Sequence, residues 1–351
     1  MEMNKKLQCV LMTMKIVRKV ADIIKSFLPE KYYAAIGTTE EEVFELVHEL
    51  VEDWIINDMI AYAENDPAAK GDYNYVYSAC KGFEALMYYR IAHMFVTSNR
   101  FSNGDSCQEY LRTLARQITE EAKVKTGIDI NPACTIGQRC VIDHGVGTLI
   151  DGGIGYFWNT SVYGETAIIG DDCNILNDVI IGAYEVNQGQ VDGIRHPKIG
   201  NRVTICSGAR IFGPVVIGDN VHIGTKVIVC HDVPSGYAVT LKSQYQISKM
   251  SAADKIQTDD VWIDGIIEGD LEGTLLLGGR NLANIMISFV DSTTYEEFKV
   301  DEPIVILSND GRKVLFKLPR NFKGNRNIML KITKSNVVVS YFYCDILNRK
   351  F

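Results

Sequence analysis

An apolar residue recurs at every sixth position through the middle of the chain. Ile130, Ile136 and Ile142 keep that step, as do Ile169, Ile175 and Ile181, and then Ile199, Ile205, Ile211, Ile217, Ile223 and Val229. A step of six fits neither the period of an α-helix nor the alternation of a single strand. Sustained over many repeats, it predicts a parallel β-helix in which each hexad is a short strand plus a turn and three hexads, about 18 residues, close one coil. Strands of successive coils then stack about 4.8 Å apart with the repeated isoleucine facing inward. The Gly-Asp or Gly-Asn after that isoleucine, as in IIGDDC, KIGNRV and VIGDNV, marks the corners.

The phase is disturbed twice. Ile142 and Ile169 are 27 positions apart, one coil plus nine. Ile181 and Ile199 are in phase, but the segment GAYEVNQGQVDGIRHP between them has few strand formers and reads as a loop thrown out from the coil. Loops on a rigid scaffold are where function concentrates.

On either side the periodicity changes. Residues 1–127 read as an α-helical domain, with apolar residues at three- and four-residue intervals in the windows Glu40–Ala63 and Tyr75–Val96. Asn65-Asp66-Pro67 breaks the pattern, with Asp66 placed to cap a following helix, and a further helix from Cys107 to Lys125 stops at Gly127. The β-helix is expected over 128–243. Residues 244–260 read as a linker or short helix, and 261–351 as a small antiparallel β-domain. Its strands are TLLLGG, IMISFV, PIVILSNDGRKVLFKL, NIMLKI and NVVVSYFY, with Asn309-Asp310-Gly311 as a hairpin turn. The fold class expected is α+β.

Composition narrows the function. A net charge of −8 over 351 residues, with no basic cluster, argues against a nucleic-acid footprint. Lys15, Arg18 and Lys19 interrupt the apolar start of the chain before a signal-peptide core can form, and no run reaches the ~18 apolar residues of a membrane span. A cytoplasmic location is expected. The nine cysteines include no C-x-x-C pair, which suits a reducing compartment. Cys134, Cys140 and Cys173 each stand four positions after a register isoleucine and are expected to pack the core.

Of the six histidines, two fall beside the disturbances. Asp143-His144 precedes the first, and Arg195-His196 closes the second. An imidazole titrating near neutrality can take a proton from a hydroxyl, provided a carboxylate fixes its tautomer. Asp129 and Asp143 are both candidates for that carboxylate, and Arg195 offers a fork for a substrate carboxylate. The competing reading makes these residues corner and loop caps only.

The runs KGFEALMYYRIAH (81–93), GIDINPACTIG (127–137), VIDHGVG (141–147), YGETAIIGDDCNIL (163–176), RHPKIG (195–200) and CSGARIFGPVVIGDNVHIG (206–224) together resemble bacterial serine O-acetyltransferase, over about Ala61 to Pro234. The resemblance implies a left-handed β-helix after the helical domain and direct attack of the serine hydroxyl on acetyl-CoA, the co-substrate, without an acyl-enzyme or a metal. By the same resemblance His144 is the base and Asp129 the carboxylate that orients it. Asp143 and Asp66 hold the substrate amino group, and Arg195 and His196 bind its carboxylate. Backbone amides around Ser207-Gly208-Ala209 and Gly224-Thr225 are expected to contact CoA. A homotrimer, or a dimer of trimers, is implied.

The chain departs from that family in four places, one of them Ala238–Met250, which stands where the family has a G-x-P-A-R-like segment that helps hold CoA. Roughly Thr148–Thr160, with Tyr156, Phe157 and Trp158, is an insertion of about 13 residues. Glu185–Ile194 lacks the family's Gly-rich turn. The chain finishes in a β-domain rather than the short tail with which the family docks onto cysteine synthase, so that docking is not expected. Two other functions stand beside the leading one. The first is acyl transfer to a different amino acid or hydroxylated acceptor. The second is a non-catalytic β-helix scaffold, for which retention of the His, Asp and Arg set is unexpected.

Overall fold

The computed structural model describes residues 2–102, 104–151, 167–183, 195–241, 244–248, 261–298, 304–319 and 328–344. They form two compact units, 1–241 and 242–351.

The first unit opens with α1 (Glu2–Phe27), whose Met12, Ile16, Val20 and Ile23 repeat at helical intervals and are buried. α2 (Glu40–Leu50) starts at a capping box: Thr39 Oγ1 accepts from the Glu42 amide and Glu42 accepts from the Thr39 amide. Helical structure runs on through a π-turn at Val51–Ile55 into α3 (Ile56–Asn65). Asp66 ends that helix instead of starting the next, and its carboxylate accepts from the Ala68 amide in a turn. The window expected as one helix from Tyr75 splits into α4 (Tyr73–Ala79) and α5 (Lys81–Thr97), with Cys80 extended between them. Gly82, in the first turn of α5, packs against the coil: a Cβ there would lie 1.8 Å from the Ile142 carbonyl oxygen. α6 (Asp105–Thr126) ends at Gly127, whose φ of 72° is the left-handed conformation glycine adopts without penalty.

The coil has three parallel sheets of two- and three-residue strands. One holds Asp129–Ile130, Leu149–Ile150, Ile180–Gly182, Arg210–Phe212 and Ile228–Val229. The second holds Thr135–Ile136, Ile168–Ile169, Lys198–Ile199 and Val216–Ile217, and the third Val141–Ile142, Asn174–Ile175, Thr204–Ile205, His222–Ile223 and Ala238–Val239. The register isoleucines pair with one another and fill the axis together with Cys134, Cys140 and Cys173, all fully buried.

The Gly-Asp and Gly-Asn corners have a specific use. The side chain of each Asp171, Asn201 and Asp219 accepts from an amide one coil earlier, at Gln138, Asp171 and Asn201, with distances of 2.7–2.8 Å. That oxygen lies where a Cβ would stand on Gly137, Gly170 or Gly200, 2.4 Å away in each case, so only glycine leaves room.

The first coil has no coil above it, and its backbone groups are taken up by the helices. Tyr89 Oη donates to the Cys134 carbonyl and accepts from the Ile136 amide. Arg90 donates to the carbonyls of Ile136 and Gly137 while pairing with Asp58, which accepts from the Cys140 amide; both ionic side chains are at most 2% exposed. An unpaired strand edge is thereby closed. Helices and coil share one continuous core.

The coil also places the first register disturbance. Ile150 is fully buried in the inward position, so Thr148–Ile150 belong to the ordinary frame and the insertion begins only after Ile150. Ile142 to Ile150 is eight positions instead of six, and Ile150 to Ile169 nineteen instead of six. Two surplus residues thus fall at His144 and thirteen beyond Ile150. Tyr156–Trp158 lie outside the described residues, as does the loop 184–194.

Among its described residues the second unit has two four-stranded antiparallel sheets. Gln244–Ser248, expected as linker, is a strand paired with Ser340–Cys344. Apolar side chains from both sheets, among them Ile266, Leu275, Phe289, Phe316, Leu330 and Phe342, form a core of its own. Val305–Asn309 and Lys313–Lys317 form the hairpin expected at Asn309-Asp310-Gly311.

Candidate active site

The two surplus residues after Ile142 form a sharp bulge. Asp143 lies at the end of the strand, and His144 and Gly145 follow with φ of 56° and 54°. The bulge lifts the imidazole off the coil: the His144 side chain is 85% exposed, with Nε2 3.8 Å from Asp143 Oδ1. Gly145 is required there, since a Cβ would meet the Ile128 side chain at 2.4 Å.

Tyr62 of α3 holds the strand that carries this bulge. Its hydroxyl donates to the Ile142 carbonyl and accepts from the Ile142 amide. Asp66, four residues on, reaches the same region. Its Oδ2 is 3.7 Å from Cys80 Sγ, and burial together with the Asp66 and then the Asp143 carboxylate pushes the Cys80 thiol up to about 11. Asp66 is thus in contact with Cys80, and the charge of Asp143, which adjoins His144, acts on the same thiol. No spacing along the chain marks Cys80 as a neighbour of Asp66.

Asp129 is placed differently. Its carboxylate meets Lys123 at 2.7 Å and Arg116 at 3.1 Å, both on α6, and is only 16% exposed. His144 is brought to Asp143, and Asp129 to the helices.

At the second disturbance His196 is buried, its side chain 1% exposed, with Nε2 3.8 Å from Asp151 Oδ2. Among the described residues neither ring nitrogen makes a hydrogen bond, nor does the buried Nε of Arg195. Asp151 is the first residue after the insertion point, and sequence reasoning passed over it because its neighbour in space is 45 positions away.

The expected CoA contacts are narrowed by the ladder. The amides of Gly208, Ala209 and Gly224 are already bonded to the carbonyls of Asn177, Cys206 and Val239, so they are not available as donors. Among the described residues that leaves the amides of Ser207 and Thr225, which occupy the same corner of successive coils.

A helical cap on a coil of hexapeptide repeats, with a histidine and carboxylates at its register break, defines a protein of the hexapeptide acyltransferase class. No family model matches the chain. The serine acetyltransferase of Helicobacter pylori strain J99 is 36% identical over 173 residues, covering 49% of this chain and 84% of that one. The chain belongs to the serine acetyltransferase family. The Mycobacterium tuberculosis serine acetyltransferase is 35% identical over 182 residues, 52% of this chain and 67% of that one. The Synechococcus elongatus enzyme is 35% identical over 176 residues, and the chain spans 60% of its length. The solved serine acetyltransferase 1 of Entamoeba histolytica with L-cysteine is 29% identical, with a TM-score of 0.47, covering 65% of this chain and 75% of that one.

Proposed function

We propose that this protein transfers an acetyl group from acetyl-CoA to the hydroxyl of L-serine, giving O-acetyl-L-serine and CoA. The observation that supports the reading is the exposed His144 on its bulge with the Asp143 carboxylate 3.8 Å away, while Asp66 and Asp143 both act on the Cys80 thiol. Serine is zwitterionic, and two carboxylates provide an anionic end for its ammonium group. Arg195 and His196 form the cationic end for its carboxylate.

His144 then takes the hydroxyl proton as the oxygen attacks the thioester carbonyl, and CoA leaves as the thiol. Asp143 is the carboxylate 3.8 Å from the imidazole, and Asp129, held by Arg116 and Lys123, keeps lone pairs with which to orient the same base. The Ser207 and Thr225 amides are the donor-side contacts. Because His144 is so exposed in one chain, the site is completed by a neighbouring copy in a homotrimer or a pair of trimers.

The insertion that starts next to His196 supports a second reading, in which a different amino acid or hydroxylated compound is the acceptor. A panel of acceptors, followed by thiol release from acetyl-CoA, separates the two. L-serine is expected to be the fastest acceptor, and His144→Ala to lower kcat/KM by about 10²–10⁴-fold. Serine being inert while another acceptor turns over defeats the first reading; full activity in His144→Ala defeats the mechanism.

A further inference from the structure

Between the end of α2 with its π-turn and the second half of α5 the helices leave a hollow of about 260 Å³. Leu46, Leu50 and Met94 give it apolar walls. Two of its charged groups are already matched. Arg90 donates to Asp58 and to the carbonyls of Ile136 and Gly137, with its guanidinium 4.7 Å from the centre of the Trp54 ring. Glu49 accepts from Arg100 Nη2 at 2.7 and 2.9 Å. Two other groups are not matched. Among the described residues the Asp53 side chain makes no hydrogen bond or ion pair, and Asn57 bonds its backbone carbonyl instead. His93 Nδ1 lies 2.8 Å from the Pro132 carbonyl, which can only accept, so Nδ1 carries the proton. Burial holds the pKa of this ring below the ordinary histidine value, which keeps Nε2 a bare lone pair at neutral pH, and among the described residues Nε2 has no partner. The hollow stands apart from the His144 bulge: Asp53 precedes Asp66 by 13 positions (66 − 53) along an almost continuous helix, about 20 Å.

We propose that this hollow binds a small primary amine with an apolar body. The ammonium pairs with the Asp53 carboxylate and donates an N–H to His93 Nε2, and the body lies along Leu46, Leu50 and Met94. An ammonium is all donor and cationic, which suits a site whose free groups are one lone pair and one carboxylate. An anion meets no unmatched donor there, and a neutral alcohol leaves the Asp53 charge unanswered. An apolar cavity of about 150 Å³ holds benzene, so the larger hollow leaves room for a ring and a short aminomethyl arm. The assignment does not depend on which acceptor the candidate active site takes.

The test uses the full-length protein labelled with 5-fluorotryptophan. Its three tryptophans give three ¹⁹F lines, and that of Trp54, which lines the hollow, is assigned with Trp54→Phe. Benzylamine is expected to shift the Trp54 line saturably, with a Kd of about 1 mM for so small a molecule. Benzyl alcohol, which lacks the charge, and benzyltrimethylammonium, which keeps the charge but has no N–H to donate, are each expected to bind about tenfold more weakly. Benzoate is expected to give no saturable shift. Asp53→Asn, a change at an exposed side chain, is expected to weaken benzylamine about fivefold. Saturating L-serine should leave the benzylamine titration unchanged. No saturable shift of the Trp54 line up to about 20 mM benzylamine overturns the proposal. So does equal binding of benzyl alcohol or of benzyltrimethylammonium, an Asp53→Asn variant that binds as wild type does, or displacement of benzylamine by L-serine.

Discussion

The Tyr62 hydroxyl bonds both backbone groups of Ile142, donating to the carbonyl at 3.0 Å and accepting from the amide at 2.8 Å. Both partners are fully buried or nearly so, and Ile142 is two residues ahead of His144. One oxygen thus replaces the strand that a further coil would have supplied, and fixes the position from which the bulge at Asp143 and His144 starts. Tyr62→Phe removes the bond in both directions and leaves a buried amide and carbonyl unpaired. The expected cost is about 2–4 kcal/mol of stability, together with a fall in kcat/KM larger than the fall in protein recovered. Thermal unfolding and thiol-release kinetics on the same preparations check it; a variant as stable and active as wild type removes Tyr62 from this role.

Gly82 makes the sharpest steric prediction. A Cβ there would stand 1.8 Å from the Ile142 oxygen and 2.5 Å from the Tyr62 hydroxyl, and the first of these neighbours is backbone. Gly82→Ala is expected to cost about 3 kcal/mol, at the upper end of overpacking substitutions, and to disturb the bulge at Asp143 and His144. Gly71→Ala is the control, since nothing lies near that position and only its φ of 78° resists a side chain. Melting temperatures of the two variants should differ by several degrees, with Gly82→Ala the lower.

Cys80 reports on the acidic cluster without any turnover. With its thiol held near 11, the thiolate is scarce at neutral pH, and alkylation is expected to be slow at pH 7 and to rise about tenfold per pH unit up to that value. Asp66→Asn and Asp143→Asn each remove a neighbouring negative charge, so both should speed alkylation at pH 8, Asp66→Asn the more strongly. Peptide mapping after iodoacetamide treatment reads the rate at Cys80 alone. Rates that are the same in both variants would place the carboxylates elsewhere.

His93 sets a pH dependence of stability. Its Nδ1 is 2.8 Å from the Pro132 carbonyl, and burial holds its pKa below the ordinary histidine value against that bond. In the folded protein the ring therefore stays neutral at a pH where the unfolded chain has begun to bind a proton. Unfolding takes up protons in that interval, so stability falls as pH drops below about 6.5 and levels off once the folded pKa is passed. His93→Asn, which can still donate to Pro132, is expected to flatten this part of the curve. Urea midpoints measured from pH 7.5 to 5 decide it; an identical slope in wild type and variant would assign the dependence to other groups.

Much of the architecture was legible because it rests on side-chain periodicity. The six-residue step holds from Ile130 to Ile142, Ile169 to Ile181 and Ile199 to Val229, and Cys134, Cys140 and Cys173 fill the axis as their spacing required. The antiparallel C-terminal strands and the Asn309-Asp310-Gly311 hairpin were legible for the same reason. What misled was local continuity. Tyr75–Val96 is periodic enough for one helix yet breaks at Cys80, whose backbone is extended between α4 and α5. Gln244–Ser248 looks like a connector yet pairs with Ser340–Cys344, nearly a hundred residues away.

The candidate site divides the same way. The sequence by itself determined the frame and marked where it fails, since a repeat that buries one residue in six makes any insertion visible as a phase error. It also supplied His144, Asp143, Arg195 and His196 at those errors. Only the tertiary structure decided how the surplus is shared, two residues at His144 and thirteen after Ile150. It also decided that Asp129 goes to Arg116 and Lys123, that Cys80 meets Asp66, and that Asp151 faces His196. These are pairings between residues distant in sequence. They are set by which coil corner and which helix face come together, and no periodicity along the chain encodes that.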